Sequence, residues 1–155
     1  MFSVRWGELY FNVVLDGGEA VKSYFSTFPS FDFSDSEHAE QLLRYFSGEK
    51  VEFRIPYRLD ASEFAERVLE EVSKIPYGKI RTYSEIARTL KTSPRAVGQA
   101  VKRNPLPIII PCHRVVGKKG IGGYTAVNTA SQKIDGKSLK EKLLRLEGIF
   151  EFCDS

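Results

Sequence analysis

The chain has 155 residues, 42% of them hydrophobic, including eleven Phe and seven Tyr, which excludes a disordered polymer and allows one packed domain or two small lobes. No apolar run is long enough to cross a bilayer, and the first ten residues carry Arg5, Trp6 and Glu8 instead of a basic segment followed by an apolar signal core. The expected location is therefore cytoplasmic, where the two cysteines stay reduced. The net charge is only +3, but residues 76–119 hold ten basic side chains against the single acid Glu85, a local +9, and the other 13 basic and 19 acidic residues leave −6 elsewhere. Such a divided chain suits a phosphate backbone at its positive segment, with a solvated basic face as the plainer reading.

In chain order, Val4 and Trp6 and then Leu9–Leu15 read as strands, with Asp16-Gly17-Gly18 as the hairpin signal and a third strand over 20–28. A helix is predicted from Ser34 to Gly48, with Leu42, Leu43 and Phe46 on its apolar stripe. No chemistry is visible in this part. Residues 51–60, with Pro56, read as a connection, so the expected organisation is an N-terminal α/β domain over 1–56 and a C-terminal domain over 57–155.

From Ser62 the apolar positions Phe64, Val68, Leu69 and Val72 take helical spacing, and Ile75-Pro76-Tyr77-Gly78 ends it. Thr82-Tyr83-Ser84-Glu85 is a capping box opening a short helix to about Leu90, and Ser93-Pro94 caps another through about Arg103. Two short helices so joined predict a helix-turn-helix. A polar stretch follows Tyr124, and a last helix is expected from Ser138 to Glu147, with Ser138 and Glu141 as its capping box and Gly148 beyond its end. The fold class expected is α+β: a small lobe with antiparallel strands, then a mostly helical, winged-helix-like lobe.

The chemistry concentrates in Pro111-Cys112-His113-Arg114-Val115-Val116, which follows the apolar run 108–110. A cysteine attacks as its thiolate, and an adjacent base favours that form. A buried small cysteine beside a satisfied histidine is the ordinary alternative for an isolated Cys-His pair. Two cysteines and two histidines without CxxC or HxxxH spacing do not make a metal site, and no cofactor motif is present.

The ordered set Ile75-Pro76-Tyr77-Gly78, Thr82-Tyr83, Ser93-Pro94-Arg95-Ala96-Val97-Gly98, Asn104-Pro105, Pro111-Cys112-His113-Arg114-Val115, Gly122-Gly123-Tyr124, Leu143-Leu144 and Glu147-Gly148 resembles the O6-alkylguanine-DNA alkyltransferases over residues 62–148. The resemblance implies a monomer that binds duplex DNA containing O6-alkylguanine, flips the base and moves the alkyl group irreversibly to Cys112, with O4-alkylthymine as a second substrate. It also implies that Glu147 orients His113, which draws the Cys112 proton through a water. By the same similarity Tyr124 assists the leaving base and Asn104 braces the turn that presents the cysteine. On the DNA side it implies that Arg95 fills the gap in the stack and Tyr83 crowds the target phosphate. Thr82, Ser93, Ala96, Gly98 and Ala100 then line a face able to approach a minor groove. Val115 and Thr125 are implied in the guanine pocket, and Arg114 as a tie between loops. The pattern departs from the family where Pro94 abuts Arg95 and where residues 126–137 replace the glycines after Thr125. The rival readings are a damage sensor that flips without repairing, a helix-turn-helix regulator, and a cysteine hydrolase, which lacks a separate base.

Overall fold

The computed structural model describes residues 1–118, 120–122 and 134–150. Strands β1 (Phe2–Trp6), β2 (Leu9–Asp16) and β3 (Glu19–Ser26) form one antiparallel sheet in the order β1-β2-β3. The β2-β3 hairpin turns at Gly17 and Gly18, both at positive φ (61° and 83°), the conformation a tight two-residue turn matched to strand twist demands. Alternation puts Val4, Phe11, Val13 and Phe25 on one buried face. Helix α1 (Glu37–Phe46), capped by Ser36, lies on that face, with the Phe46 ring 5.0 Å from Trp6 and 5.7 Å from Phe11. The third strand ends at Ser26, short of the expected Phe28, because Ser26 Oγ already donates to the Phe28 carbonyl and turns the chain away.

Residues 51–60 contain no helix and no long strand, but they do not hang free: Ala20 N donates to the Pro56 carbonyl and Arg58 N to that of Ala20. Helix α2 (Glu63–Ser73), capped by Ser62, buries Val68, Leu69 and Val72. A two-residue strand β4 (Arg81–Thr82) leads into α3 (Tyr83–Leu90), and residues 91–93 turn the chain into α4 (Pro94–Lys102). Thr82 and Ser93 supply the caps that the sequence announced, and Lys91, left-handed at φ 56°, ends α3. Strand β5 (Val115–Val116) pairs with β4 in parallel, and α5 (Gly136–Leu146) closes the described fold. The cap of α5 corrects the sequence expectation. Asp135 is the N-cap, accepting from Lys137 N and Ser138 Oγ, so Ser138 sits in the first turn instead of before it. The main core runs from the sheet and α1 through α2, α3 and α4 to Leu139 and Leu143 of α5, and a smaller cluster gathers Val116, Ile121, Leu144 and Ile149.

Candidate active site

The loop between α4 and Cys112 is built around one side chain. Asn104 Nδ2 donates to the Ile110 carbonyl at 3.0 Å, and its Oδ1 accepts from Leu106 N at 2.9 Å. Ile110 N reaches back to the Leu106 carbonyl at 2.8 Å, and Ile108 is forced to φ 72°, a conformation that costs a β-branched residue about 1–3 kcal/mol. Burial of Ile108 and Ile110 holds the strained turn, and β3 clamps it from outside through Ser23 N to the Pro105 carbonyl and Ser23 Oγ to that of Pro107, each 2.9 Å. The result is a rigid platform from which Cys112 opens a short 3-10 turn over Cys112–Arg114. Cys112 is 6% exposed; burial pushes the pKa of its thiol up, against a hydrogen bond from Asn104 and the positive charge of Lys140. At rest it is a protonated thiol that needs a base.

That base is placed by a buried carboxylate. Glu147 caps the C-terminus of α5, where its Oε2 meets His113 Nε2 at 2.5 Å and Tyr45 Oη at 2.5 Å. Arg114 donates to both oxygens, Nε to Oε1 at 2.8 Å and Nη2 to Oε2 at 3.2 Å, and Gly78 N adds a bond to Oε1 at 3.0 Å. Burial alone would raise the Glu147 carboxyl, but the hydrogen bonds and charges of His113 and Arg114 hold it well below its ordinary range. It is ionised and can only accept, so the proton of neutral His113 sits on Nε2. Burial, partly offset by Glu147, lowers the His113 pKa. Its Nδ1 is then a lone pair, buried and without a protein partner among the described residues. A protonated thiol is thus followed in the chain by a neutral imidazole with one open nitrogen, backed by a carboxylate that stabilises imidazolium: the parts of an activated nucleophile.

Lys140 brings the nearby positive charge. Its Nζ donates to the Val115 carbonyl at 2.6 Å and lies 5.8 Å from the Tyr83 ring, and burial lowers its pKa to about 8. Space here is tight. A Cβ on Gly122 (φ 80°) would stand 2.9 Å from Tyr83 Oη and 3.4 Å from Lys140 Nζ, so only glycine fits.

The structure brings together Cys112, His113, Glu147 and Asn104, and sets Tyr83 on the same side, where burial and then the charge of Cys112 raise its pKa. Thr82 and Ser93 spend their hydroxyls capping α3 and α4, accepting from Glu85 N and Ala96 N at 3.1 Å. Arg95 is exposed in the first turn of α4, with Ala96 and Gly98 half-buried. Ala100 differs: it is 5% exposed and belongs to the inner stripe with Val97 and Val101. Val115 lies buried in β5. Tyr124 and Thr125 fall outside the described residues.

Two side chains of the site escaped the sequence reading. Lys140 had a signal: with Leu139, Leu143, Leu144 and Glu147 it follows helical spacing on an inward stripe, where a lysine is out of place. Tyr45 had none, since an aromatic beside Leu42 and Phe46 on an amphipathic helix reads as core. Among the described residues no cluster of His, Cys, Asp and Glu could hold a metal, and no helix is long and apolar enough to cross a membrane.

Residues 63–149 match a family model described as the DNA-binding domain of 6-O-methylguanine DNA methyltransferase. A methylated-DNA–protein-cysteine methyltransferase of Archaeoglobus fulgidus is 75% identical over 150 residues, covering 97% of this chain and 100% of that protein. One of the same name from Sulfolobus acidocaldarius is 49% identical over 117 residues, 76% of this chain and 68% of its own length. Among solved structures, Mycobacterium tuberculosis OGT in complex with DNA superposes with a TM-score of 0.79 at 30% identity, covering 95% of this chain and 92% of that one. The O6-methylguanine-DNA methyltransferase of Pyrococcus kodakaraensis gives a TM-score of 0.71 at 28% identity, covering 95% and 97%.

Proposed function

The chain belongs to the family of methylated-DNA–protein-cysteine methyltransferases, and from that premise we propose that it repairs O6-alkylguanine in duplex DNA by moving the alkyl group irreversibly to Cys112. The observation that carries this reading is the open, buried Nδ1 of a His113 whose other nitrogen is tied to Glu147. The reaction proceeds by direct displacement. The Cys112 S–H proton passes through a water to His113 Nδ1, the sulfur lone pair forms the S–C bond, and the C–O6 bond breaks with its electron pair going to the guanine oxygen. Glu147 compensates the transient imidazolium. Tyr124 donates to the departing base, which leaves as guanine once the proton taken from the thiol is returned to it. The product is a thioether, and none of the named groups hydrolyses a carbon–sulfur bond, so each molecule reacts once.

The target carbon is unreachable inside the stack, so the base is extruded. The positive segment and the exposed Arg95 at the start of α4 support docking of this helix on the duplex, with Arg95 filling the vacated place and Tyr83 pressing the phosphate. Val115 and Thr125 line the base pocket, and O4-alkylthymine enters the same site. The protein works as a cytoplasmic monomer, in which residues 1–56 support a reactive unit over 57–155.

Intact mass and peptide mapping after incubation with duplex DNA carrying O6-methylguanine test the proposal. One methyl on Cys112, saturating at one per molecule and absent in Cys112→Ser, is the expected result. DNA binding without a mass change would replace it with a damage sensor or a regulator.

A further inference from the structure

We propose that Tyr45 of α1 is a positioning residue for proton transfer: its hydroxyl holds Glu147 Oε2 in line with His113 Nε2 and, by sharing that oxygen's charge, sets the proton affinity of His113. The proposal rests on the reading of His113 as the base. Tyr45 Oη donates to Glu147 Oε2 at 2.5 Å and stands 3.3 Å from His113 Nε2, so with Arg114 Nη2 at 3.2 Å three donors converge on that oxygen. A carboxylate offers about four lone-pair directions, and His113, Gly78 N and the two Arg114 nitrogens already supply four donors. The Tyr45 bond is the fifth, beyond what satisfying a buried carboxylate requires. Nor is the hydroxyl there by looseness of packing. The Tyr45 side chain is fully buried, and its ring is wedged between Phe46 (5.4 Å), Phe53 (5.2 Å) and an edge-on Tyr77 (6.1 Å, 89°) on a helix braced by the sheet.

Burial and the Glu147 charge raise the Tyr45 pKa well above its ordinary value, so the hydroxyl is a permanent donor that never competes for the proton. The groups facing His113 then divide by sign. Arg114 beside it and Lys140 from α5 disfavour imidazolium, and Glu147 at the end of α5 favours it. The neighbouring Cys112 is protonated at rest, and Tyr77 lies beyond the Tyr45 ring. Tyr45 acts without charge, by withdrawing electron density from the oxygen that His113 uses. It keeps the imidazole neutral and ready to accept.

Histidine ring NMR reads this directly, since the chain has only two histidines and a His38→Gln background leaves His113 alone. In Tyr45→Phe, His113 is expected to titrate about one pH unit higher, the equivalent of one lost hydrogen bond to the carboxylate. The acid limb of the single-turnover transfer rate should move with it, giving about tenfold slower transfer on that limb with unchanged DNA affinity. Replacing Tyr45 by 3-fluorotyrosine keeps the ring, strengthens the donor and should move both readouts the other way, which carries the test if Tyr45→Phe does not fold. Tyr77→Phe loses a neighbouring hydroxyl bonded to the Leu146 carbonyl at 3.4 Å and should shift neither. An unmoved His113 titration, or a rate lowered equally at every pH, overturns the proposal. A parent protein that gains no alkyl group overturns the proposed function instead, because the ring titration needs no transfer.

Discussion

Among the described residues, two buried polar networks differ in charge and in closure. Beneath the sheet, Asn12 accepts from Ser3 Oγ (2.6 Å) and Ser30 N (3.1 Å) and donates to Ser26 Oγ (2.8 Å) and the Tyr24 carbonyl (3.2 Å), while Ser3 accepts from Phe31 N at 2.9 Å. All are neutral, and the set pins residues 28–31 to the strands with no side-chain atom left over. Behind Cys112, Glu147 gathers Tyr45, His113, Arg114 and Gly78, and His113 Nδ1 is left without a partner among the described residues. A closed neutral network stabilises shape. A charged network with one open nitrogen holds a capacity to take up a proton, at a desolvation cost that shape alone would not justify.

The difference is most sharply broken at Glu147. Glu147→Gln leaves the Arg114 guanidinium buried without its counter-charge, and a loss of about 3 kcal/mol or more in urea unfolding is expected, with transfer slowed by about 100-fold or more. Parental stability in this variant would show that the cluster is neither as dry nor as coupled as its geometry requires. Asn12→Ala should cost less, about 2 kcal/mol, by stranding the Ser3 and Ser26 hydroxyls, yet leave the transfer rate per folded molecule within about twofold. A large rate loss there would join the two networks that this comparison separates.

The smallest effect concerns pH. His113 is held below its ordinary pKa of 6.5 by burial, so the unfolded chain binds the proton first as the solution is acidified. Stability should therefore fall from about pH 6.5 downward, by up to about 1.4 kcal/mol per pH unit, until the folded-state value is reached. Glu147, held well below its ordinary range, adds its own loss only at stronger acidity. Lys140, lowered to about 8, stays charged throughout this window and contributes no slope. Denaturant midpoints at pH 7, 6 and 5 check the sign, and a flat response would place the His113 proton affinity at its unfolded value.

Local chemistry made much of this molecule legible from its sequence. Hairpin glycines, Ser and Thr caps and the proline opening α4 act within a few residues of themselves, so the three strands and the helix-turn-helix followed from spacing. The same locality misplaced the start of α5, where Asp135 outcompetes Ser138 for the free backbone donors. The family resemblance put Ala100 on the docking face, whereas burial sends it inward with Val97 and Val101. The pairing of Glu147 with His113 came from a resemblance to a family and not from any local pattern.

What tertiary structure alone decided is the company those residues keep. Tyr45 and Glu147 stand 102 positions apart, Ser23 and Pro107 84 apart, and no periodicity links them. Packing α1 and β3 against the cysteine loop brings them into contact. Once water is excluded there, one tyrosine hydroxyl and one lysine acquire an influence on proton affinity that neither has in the extended chain.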